Sequence, residues 1–204
     1  MFLHDLFFLH FSFSFCILIF EFILLDSYFL ILIAMAIIKH KAQRIAILID
    51  VQNLYHSAKN LFNARVNFKE VLKTAVAGRN LIRAIAYVIR TESGDEKTFL
   101  EALTQIGIET RLKDLQVFPG GVKKADWDVG MAMDAVKLGN RIDAIVLMSG
   151  DGDFIPLINY LHEVYGLQVE VAAFGRSSSQ RLKEEADEFF DIGSEPKKYL
   201  MRIK

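Results

Sequence analysis

The stretch Ala144-Ile-Val-Leu-Met148, followed directly by Ser149-Gly-Asp-Gly-Asp-Phe154, decides the fold of this chain. A short apolar run rich in branched aliphatic residues is typical of a strand buried on both faces of a parallel sheet. The run leads into two carboxylates separated by one glycine, and an apolar pattern with helical spacing begins at Phe154. Ligands of open α/β sheets bind at the carboxyl ends of the strands. Two acids in this position indicate a divalent cation and phosphate chemistry.

Strand and helix patterns alternate along the chain from Arg44 onward. The predicted strands are 45–49, 81–89, 108–112, 144–148, 168–174 and 188–192. The predicted helices are 53–62, 68–77, 96–106, 126–138, 154–165 and 179–187, and a loop is predicted at 119–121. Because helices separate successive strands, the pattern predicts a mainly parallel sheet between helical layers. We therefore expect one α/β domain over residues 39–193, followed by a basic tail at 194–204.

The first 38 residues differ in composition from the rest of the chain. They contain no Lys or Arg, three acids, and nine of the seventeen Phe. The longest uncharged stretches, 11–20 and 27–38, are each shorter than the ~20 residues that a membrane-spanning helix needs. This composition favours a mis-assigned start codon, with translation beginning near Met35, over the alternative of a membrane anchor.

Either interpretation of this segment predicts a cytoplasmic domain. If the segment is an anchor, Lys39, Lys41 and Arg44 place the domain on the cytoplasmic side by the positive-inside rule. If it is not translated, a membrane partner is not expected.

The composition excludes several kinds of site. A single cysteine, Cys16, excludes an intramolecular disulfide and a cysteine-rich zinc site. The five His are scattered, without metal-ligand spacing. Lys and Arg number 24 against 25 Asp and Glu, so the net charge gives no argument for a polybasic nucleic-acid binder.

The acids of the domain fall at equivalent places in the predicted sheet. Asp50 follows the first strand as Asp151 follows the strand at 144–148, and Asp128 lies near the start of a predicted helix. Asp153 and Asn53 lie close to these acids in the sequence. Four ionised carboxylates at one edge would repel one another, so something must neutralise them. With no Cys or His cluster, the oxygen ligands favour Mg²⁺ or Mn²⁺ as the cofactor.

Two further acids are interpreted differently. Asp126 is predicted to be an ordinary helix N-cap. Asp134 lies about 240° around a helix from Asp128, so it is predicted to form a salt bridge or to support the site from another face.

Other nucleotide and catalytic motifs are absent from the sequence. Gly150-Asp-Gly152 lacks the third glycine of a dinucleotide-binding loop, because position 155 is Ile, so no dinucleotide cofactor is expected. No Walker A motif and no calcium-binding EF-hand occurs. His56 and His162 do not follow strands and are interpreted as ordinary helix-face residues.

Three ordered motifs resemble those of the NYN domain, in particular its LabA-like branch. They are Ile47-Leu-Ile-Asp50-Val-Gln-Asn53-Leu-Tyr55, Lys124-Ala-Asp-Trp-Asp128-Val-Gly-Met-Ala-Met-Asp134, and Ser149-Gly-Asp151-Gly-Asp153-Phe154. The resemblance extends over about residues 43–193 and includes the closing stretch 179–189. It implies a PIN-like, three-layer α/β/α fold and metal-dependent RNA cleavage.

Carried over to this sequence, the resemblance implies roles for individual residues. Asp50, Asp128 and Asp151 would be the principal metal-binding acids, with Asn53 and Asp153 supporting them and Asp153 counted among the metal-site residues. The metal would activate a water for hydrolysis of the phosphodiester bond.

Five other residues are candidates for contacts with RNA. Lys123 and Lys124 precede Asp128 on a predicted loop and could meet a backbone phosphate, as could Arg176 after the strand at 168–174. Tyr55 and Trp127 could stack on an unpaired base, although both are also typical packing residues.

Two alternative functions remain open from the sequence. One is a non-catalytic RNA-binding or regulatory module with the same fold. The other is a metal-dependent nucleotide-sugar transferase that uses Asp151-Gly-Asp153 as its metal motif, although this leaves Asp50 and Asn53 unexplained. Assembly as a homo-oligomer is also left open.

Overall fold

The computed structural model describes residues 39–90, 97–117, 123–124 and 126–202. The predictions for residues 1–38 and for the loop at 119–121 lie outside these ranges. Residues from Lys39 onward form one compact unit. Within the described ranges, no helix is long and apolar enough to cross a membrane.

A six-stranded, all-parallel sheet forms the centre of the domain, as the sequence predicted. Its strands, in spatial order, are β4 (Glu109–Asp114), β3 (Asn80–Arg90), β1 (Arg44–Asp50), β7 (Ala144–Met148), β8 (Gln168–Ala173) and β9 (Glu188–Asp191). Helices flank this sheet, which confirms the predicted three-layer α/β/α fold. All six predicted strands are present, with ends shifted by one or two residues.

The helices follow the predicted alternation. They are α1 (Val51–Phe62), α2 (Phe68–Val76), α3 (Lys97–Gln105), α4 (Asp128–Leu138), α5 (Ile155–Tyr160), α6 (Gln180–Glu185) and α7 (Pro196–Tyr199). The predicted helix at 154–165 is not uniform, because a 3₁₀ turn (Gly152–Phe154) precedes α5 and a π-helical turn (Leu161–Tyr165) follows it. Side-chain oxygens of Asp50, Asn67 and Ser179 cap the starts of α1, α2 and α6.

Four short strands were not predicted from the sequence. They are β2 (Ala64–Val66), β5 (Gln116–Val117), β6 (Lys123–Lys124) and β10 (Leu200–Arg202). β10 pairs antiparallel with β2, and the buried ring of Tyr199 precedes it, so the stretch expected to be a tail packs on the domain. Strands of two or three residues are too short to show a hydrophobic period, which is why the sequence did not reveal them.

A buried ion pair connects α2 with the central sheet. The Arg79 guanidinium, fully buried, donates to both carboxylate oxygens of Glu170 on β8, at 3.0 Å for the Nη2–Oε2 contact. Arg79 also donates to the carbonyls of Ala75 and Val76 near the end of α2. Lys39 Nζ lies 3.2 Å from a Glu170 oxygen. One side chain therefore pairs a buried carboxylate and satisfies two carbonyls at a helix end.

We predict that Arg79→Met lowers the free energy of unfolding by about 3–5 kcal/mol, because it leaves the buried Glu170 carboxylate without its main partner. Urea unfolding followed by circular dichroism measures this loss. Arg83→Met is the matched control: it removes the ion pair of Arg83 with Glu109 on the exposed part of the sheet, and should cost no more than about 1 kcal/mol. Equal losses in the two variants would contradict the prediction.

Candidate active site

Asp50 is the last residue of β1 and the N-cap residue of α1. Its Oδ1 accepts a hydrogen bond from the backbone N–H of Asn53 at 3.0 Å, and its Oδ2 accepts one from the Ser149 hydroxyl at 3.2 Å. Burial raises the pKa of the Asp50 carboxyl above its ordinary value, and these hydrogen bonds oppose that rise. The carboxylate is thus held in one orientation at the carboxyl end of a central strand.

The side-chain amide of Asn53 connects the carboxyl end of β1 with the loop that follows β7. The Asn53 carbonyl oxygen accepts a hydrogen bond from the backbone N–H of Gly150 at 3.0 Å. The buried hydroxyl of Ser149, which donates to Asp50, also accepts from the backbone N–H of Asp151 at 3.3 Å. These bonds fix the position of the loop after β7 relative to Asp50.

The loop after β7 also lies tightly against the loop after β8. A Cβ atom added at Gly150 would come within 2.5 Å of the Ser178 hydroxyl, and the Ser179 N–H donates to the Gly150 carbonyl at 3.0 Å. An added Cβ at Gly152 would lie 3.0 Å from the Ser179 hydroxyl. The two glycines therefore permit a close approach of two loops at the edge that carries Asp151.

Asp128 is the first residue of α4 and lies within a group of carboxylates. Burial raises its pKa, and so do, in decreasing order, the charges of Asp151, Asp50, Asp126 and Asp153. Side chains from three separate parts of the chain thus interact at one edge of the sheet, as the sequence predicted they would.

The prediction that Asp126 caps α4 is wrong. Trp127 occupies the N-cap position, and it makes no side-chain capping bond to the helix. The indole Nε1–H of Trp127 donates to the carbonyl of Val88 on β3 at 3.1 Å. This contact fixes the start of α4 against the sheet and leaves the Asp126 carboxylate free of a capping role.

A cleft of about 370 Å³ lies at this edge of the sheet. Four aspartates line it: Asp50, Asp126, Asp128 and Asp151. Among the lining residues that the structure describes there is no Lys or Arg, and none of the ion pairs in the described ranges involves these four acids. Among the residues that the structure describes, their negative charge is therefore concentrated on one cleft and is not paired with a basic side chain.

Neutral side chains form the remaining walls of the cleft. Helix α1 contributes Gln52, Asn53, His56, Ser57, Asn60 and Leu61. From the sequence, His56 was predicted to be an ordinary helix-face residue, and Gln52 and Asn60 were given no role. Their spacing at i, i+4 and i+8 places all three on one face, which is the signal that could have identified them once Asp50 was assigned to the site.

A second part of the cleft lining is apolar and aromatic. It consists of Tyr87 and Ile89 on β3, together with Trp127. The rings of Tyr87 and Trp127 have centroids 5.3 Å apart at an angle of 60°. The Tyr87 hydroxyl donates to Asp134 at 2.9 Å, and Lys137 Nζ lies 3.5 Å from the same carboxylate. Asp134 therefore has polar partners on another face of α4. Of the predicted RNA-contact residues whose side chains the structure describes, Trp127 is the one that lines the cleft.

Other predicted site residues lie outside the cleft lining. Asp153 is exposed, although its backbone N–H donates to Asp151 Oδ1 at 3.0 Å. Tyr55 is exposed, with Lys59 Nζ 5.7 Å from its ring centroid. Arg176 is also exposed, whereas the next residue, Ser177, lines the cleft and donates to the Ser57 hydroxyl at 2.9 Å. The side chains of Lys123 and Lys124 lie outside the described part of the chain.

The side chains of the cleft that could bind a metal ion are carboxylates. In the described ranges, no three Asp, Glu, His or Cys side chains are arranged so that they could hold a metal ion together. Mg²⁺ usually keeps several water ligands and needs only one or two direct carboxylates. The pKa values of Asp50 and Asp128 are raised, and the carboxylates of the cleft offer only oxygen atoms as ligands. Both properties fit such a hydrated cation.

Comparisons with known proteins identify the family of the chain. The model of the NYN domain matches residues 44–193. The chain is 24% identical over 167 residues to the low amplitude and bright protein LabA of Synechococcus elongatus, covering 74% of this chain and 85% of that protein.

A solved structure has a similar fold. It is the crystal structure of VPA0982, a protein of unknown function from Vibrio parahaemolyticus, with 30% sequence identity and a TM-score of 0.73. The similarity covers 81% of this chain and all of that chain. Together with the family match over most of the domain, this likeness leads to one conclusion: the chain belongs to the NYN domain family, a PIN-like family related to nucleases.

Proposed function

We propose that this protein hydrolyses RNA phosphodiester bonds with Mg²⁺ or Mn²⁺ bound in the acidic cleft. The observation that carries the proposal is the convergence of Asp50, Asp126, Asp128 and Asp151 on one cleft whose described lining has no basic side chain. Such a site attracts a divalent cation, and a cation is what a phosphate group needs in order to approach four carboxylates. The family supports the same chemistry.

The proposal assigns roles to the residues of the cleft. One or two of Asp50, Asp128 and Asp151 would bind a hydrated cation directly and the remaining acid would act through its water ligands, with Asp153 or Asp126 completing the acidic set. When bound, the metal would lower the pKa of a water molecule and stabilise negative charge on the phosphate. Asn53 acts through Gly150 and keeps Asp50 and the Asp151 loop in register. Ser149 serves the same purpose through its two hydrogen bonds.

A non-catalytic RNA-binding module is the second candidate. It is favoured by the observation that no three carboxylates in the described ranges are arranged as direct ligands of one ion. A nucleotide-sugar transferase is less well supported, since a cleft of about 370 Å³ is small for a nucleotide sugar and an acceptor together. The proposal places the reaction on cytoplasmic RNA.

We predict that Asp151→Asn reduces cleavage of labelled RNA by at least about 100-fold, because a neutral amide at this position weakens metal binding. The measurement is a gel-based cleavage assay in Mn²⁺, and EDTA should abolish the wild-type activity. Asp143→Asn is the matched control: Asp143 is paired with Arg44 at the start of the two central strands, away from the cleft. If wild-type cleavage is the same with and without metal, the nuclease proposal is wrong.

A comparison of two variants tests whether Asp126 or Asp153 is the fourth acid of the site. Asp126 lines the cleft, whereas Asp153 is exposed outside its lining. We predict that Asp126→Asn weakens Mn²⁺ activation roughly tenfold and that Asp153→Asn has a smaller effect. Titration of activity against Mn²⁺ concentration measures both values. If Asp153→Asn weakens Mn²⁺ activation more than Asp126→Asn does, Asp153 belongs to the metal site and Asp126 does not.

The raised pKa of Asp128 predicts a gain in stability when its charge is removed. A raised pKa means that the folded state binds the proton more tightly than the unfolded state. The ionised carboxylate therefore costs stability at neutral pH, and this cost disappears as the pH falls through the folded-state pKa. We predict that Asp128→Asn has a higher Tm than the wild type at neutral pH in EDTA.

The control has the opposite electrostatics. Arg44 lowers the pKa of Asp143 through a hydrogen bond and its charge, so Asp143→Asn should give no gain in Tm. Addition of Mn²⁺ should raise the Tm of the wild type more than that of Asp128→Asn, because a ligand stabilises the state that binds it. A lower Tm for Asp128→Asn in EDTA would show that repulsion among these acids does not dominate the site.

A further inference from the structure

One part of the cleft lining, on α1, is polar, and another part, which includes Trp127 and Ile89, is apolar. This difference has no role in holding a cation. Gln52, His56 and Asn60 form an exposed row along one face of α1, starting beside Asp50. Each carries both donor and acceptor groups or can present either. None of them is engaged with another side chain by the hydrogen bonds found among the described residues. This row is therefore available to a ligand.

The apolar and aromatic part of the lining, referred to as the Trp127–Ile89 wall, is held in place by its own contacts. The Trp127 ring is fixed by its hydrogen bond to Val88 and by the edge of Tyr87, and Lys113 Nζ lies 5.7 Å from its centroid. A Cβ atom at Gly130 would come within 2.6 Å of this ring, so the absence of a side chain there gives the indole its place. Ile89 extends the wall along β3. A planar group could pack against this surface without reorganising it.

We propose that the cleft binds one unpaired nucleotide of an RNA strand, with its base between the Trp127–Ile89 wall and the row of Gln52, His56 and Asn60. This inference rests on the proposed function and names its substrate class as single-stranded RNA. The apolar wall takes the face of the base, and the polar row hydrogen-bonds its edge or the ribose hydroxyl. The phosphate then lies at the acidic floor, where the cation meets it.

The size and charge of the cleft favour this ligand over a duplex. A volume of about 370 Å³ is at the lower end of the range for small-molecule sites, so it accommodates a single nucleotide and not two paired strands. The Watson–Crick edge that the polar row would contact is free only in an unpaired base. With no Lys or Arg in the described lining, the direct contacts of these side chains go to the base and sugar, and the phosphate is met by the cation.

Equilibrium binding tests the inference without the need for cleavage. Fluorescence anisotropy measures the affinity of the catalytically impaired Asp151→Asn protein for a short labelled single-stranded RNA in Mg²⁺. The additional substitutions His56→Ala and Asn60→Ala should each weaken binding roughly three- to tenfold, as expected for loss of one hydrogen-bonding group. The same RNA annealed to its complement should bind more weakly than the single strand.

The control variant is Asn140→Ala, placed on the same Asp151→Asn background. Asn140 is exposed in the turn that connects α4 to the start of β7, so its removal should leave RNA affinity unchanged. His56, Asn60 and Asn140 are exposed, and equal Tm values will establish that the variants are folded. If neither His56→Ala nor Asn60→Ala changes the affinity, or if the duplex binds as tightly as the single strand, the inference is wrong.

The two proposals fail in different experiments. Absence of metal-dependent cleavage by the wild type overturns the nuclease function, whereas the anisotropy of the RNA still shows whether the row on α1 binds an unpaired nucleotide. In an active enzyme, His56→Ala should raise KM and leave kcat within about threefold, because the side chain contacts the substrate away from the reacting bond. A large fall in kcat with unchanged KM would assign His56 to catalysis and contradict its role in binding.

Discussion

The parallel pairing of the two central strands, β1 and β7, determines where the acids that follow them lie. β1 and β7 are aligned from Ile45 opposite Ala144 to Ile49 opposite Met148, and all of these residues are fully buried. A shift of one residue would turn each side chain to the other face of the sheet, so burial on both faces fixes the register. Asp50 and the loop that carries Asp151 are therefore neighbours, although about a hundred residues separate them in the sequence.

This arrangement concentrates negative charge, and the fold offsets only part of the cost. Asp50 caps α1, Asp128 is the first residue of α4, and Asp151 caps the 3₁₀ turn before α5. The N-terminus of a helix stabilises a nearby carboxylate by about 0.3–1 kcal/mol. The pKa values of Asp50 and Asp128 are nevertheless raised, so burial and mutual repulsion outweigh the helix ends. The charge that remains is what a cation would neutralise.

The sequence was sufficient for the features that depend on local pattern. Buried strands appear as apolar runs, and acids that follow them meet at one edge, so the sheet and the grouping of Asp50, Asp128 and Asp151 could be predicted. Features that depend on tertiary contacts could not. Asp126 faces the cleft because Trp127 bonds to Val88, and the strand pair β2–β10 joins segments far apart in the sequence. His56 was interpreted only as a helix-face residue, because a single histidine on a helix has no distinctive local signal.

Elsewhere in the same domain, acids are paired with bases. Glu170, on β8 of the same sheet, is buried and bonded to Arg79 and Lys39, and Asp143 is bonded to Arg44. The fold can therefore pair carboxylates with basic side chains, both in its interior and at its surface. Two acids of the cleft instead receive hydrogen bonds from neutral groups: the Ser149 hydroxyl and the Asn53 N–H donate to Asp50, and the Asp153 N–H donates to Asp151. Neutral donors orient a carboxylate without cancelling its charge, which is the condition that a cation-binding site requires and that a structural ion pair would remove.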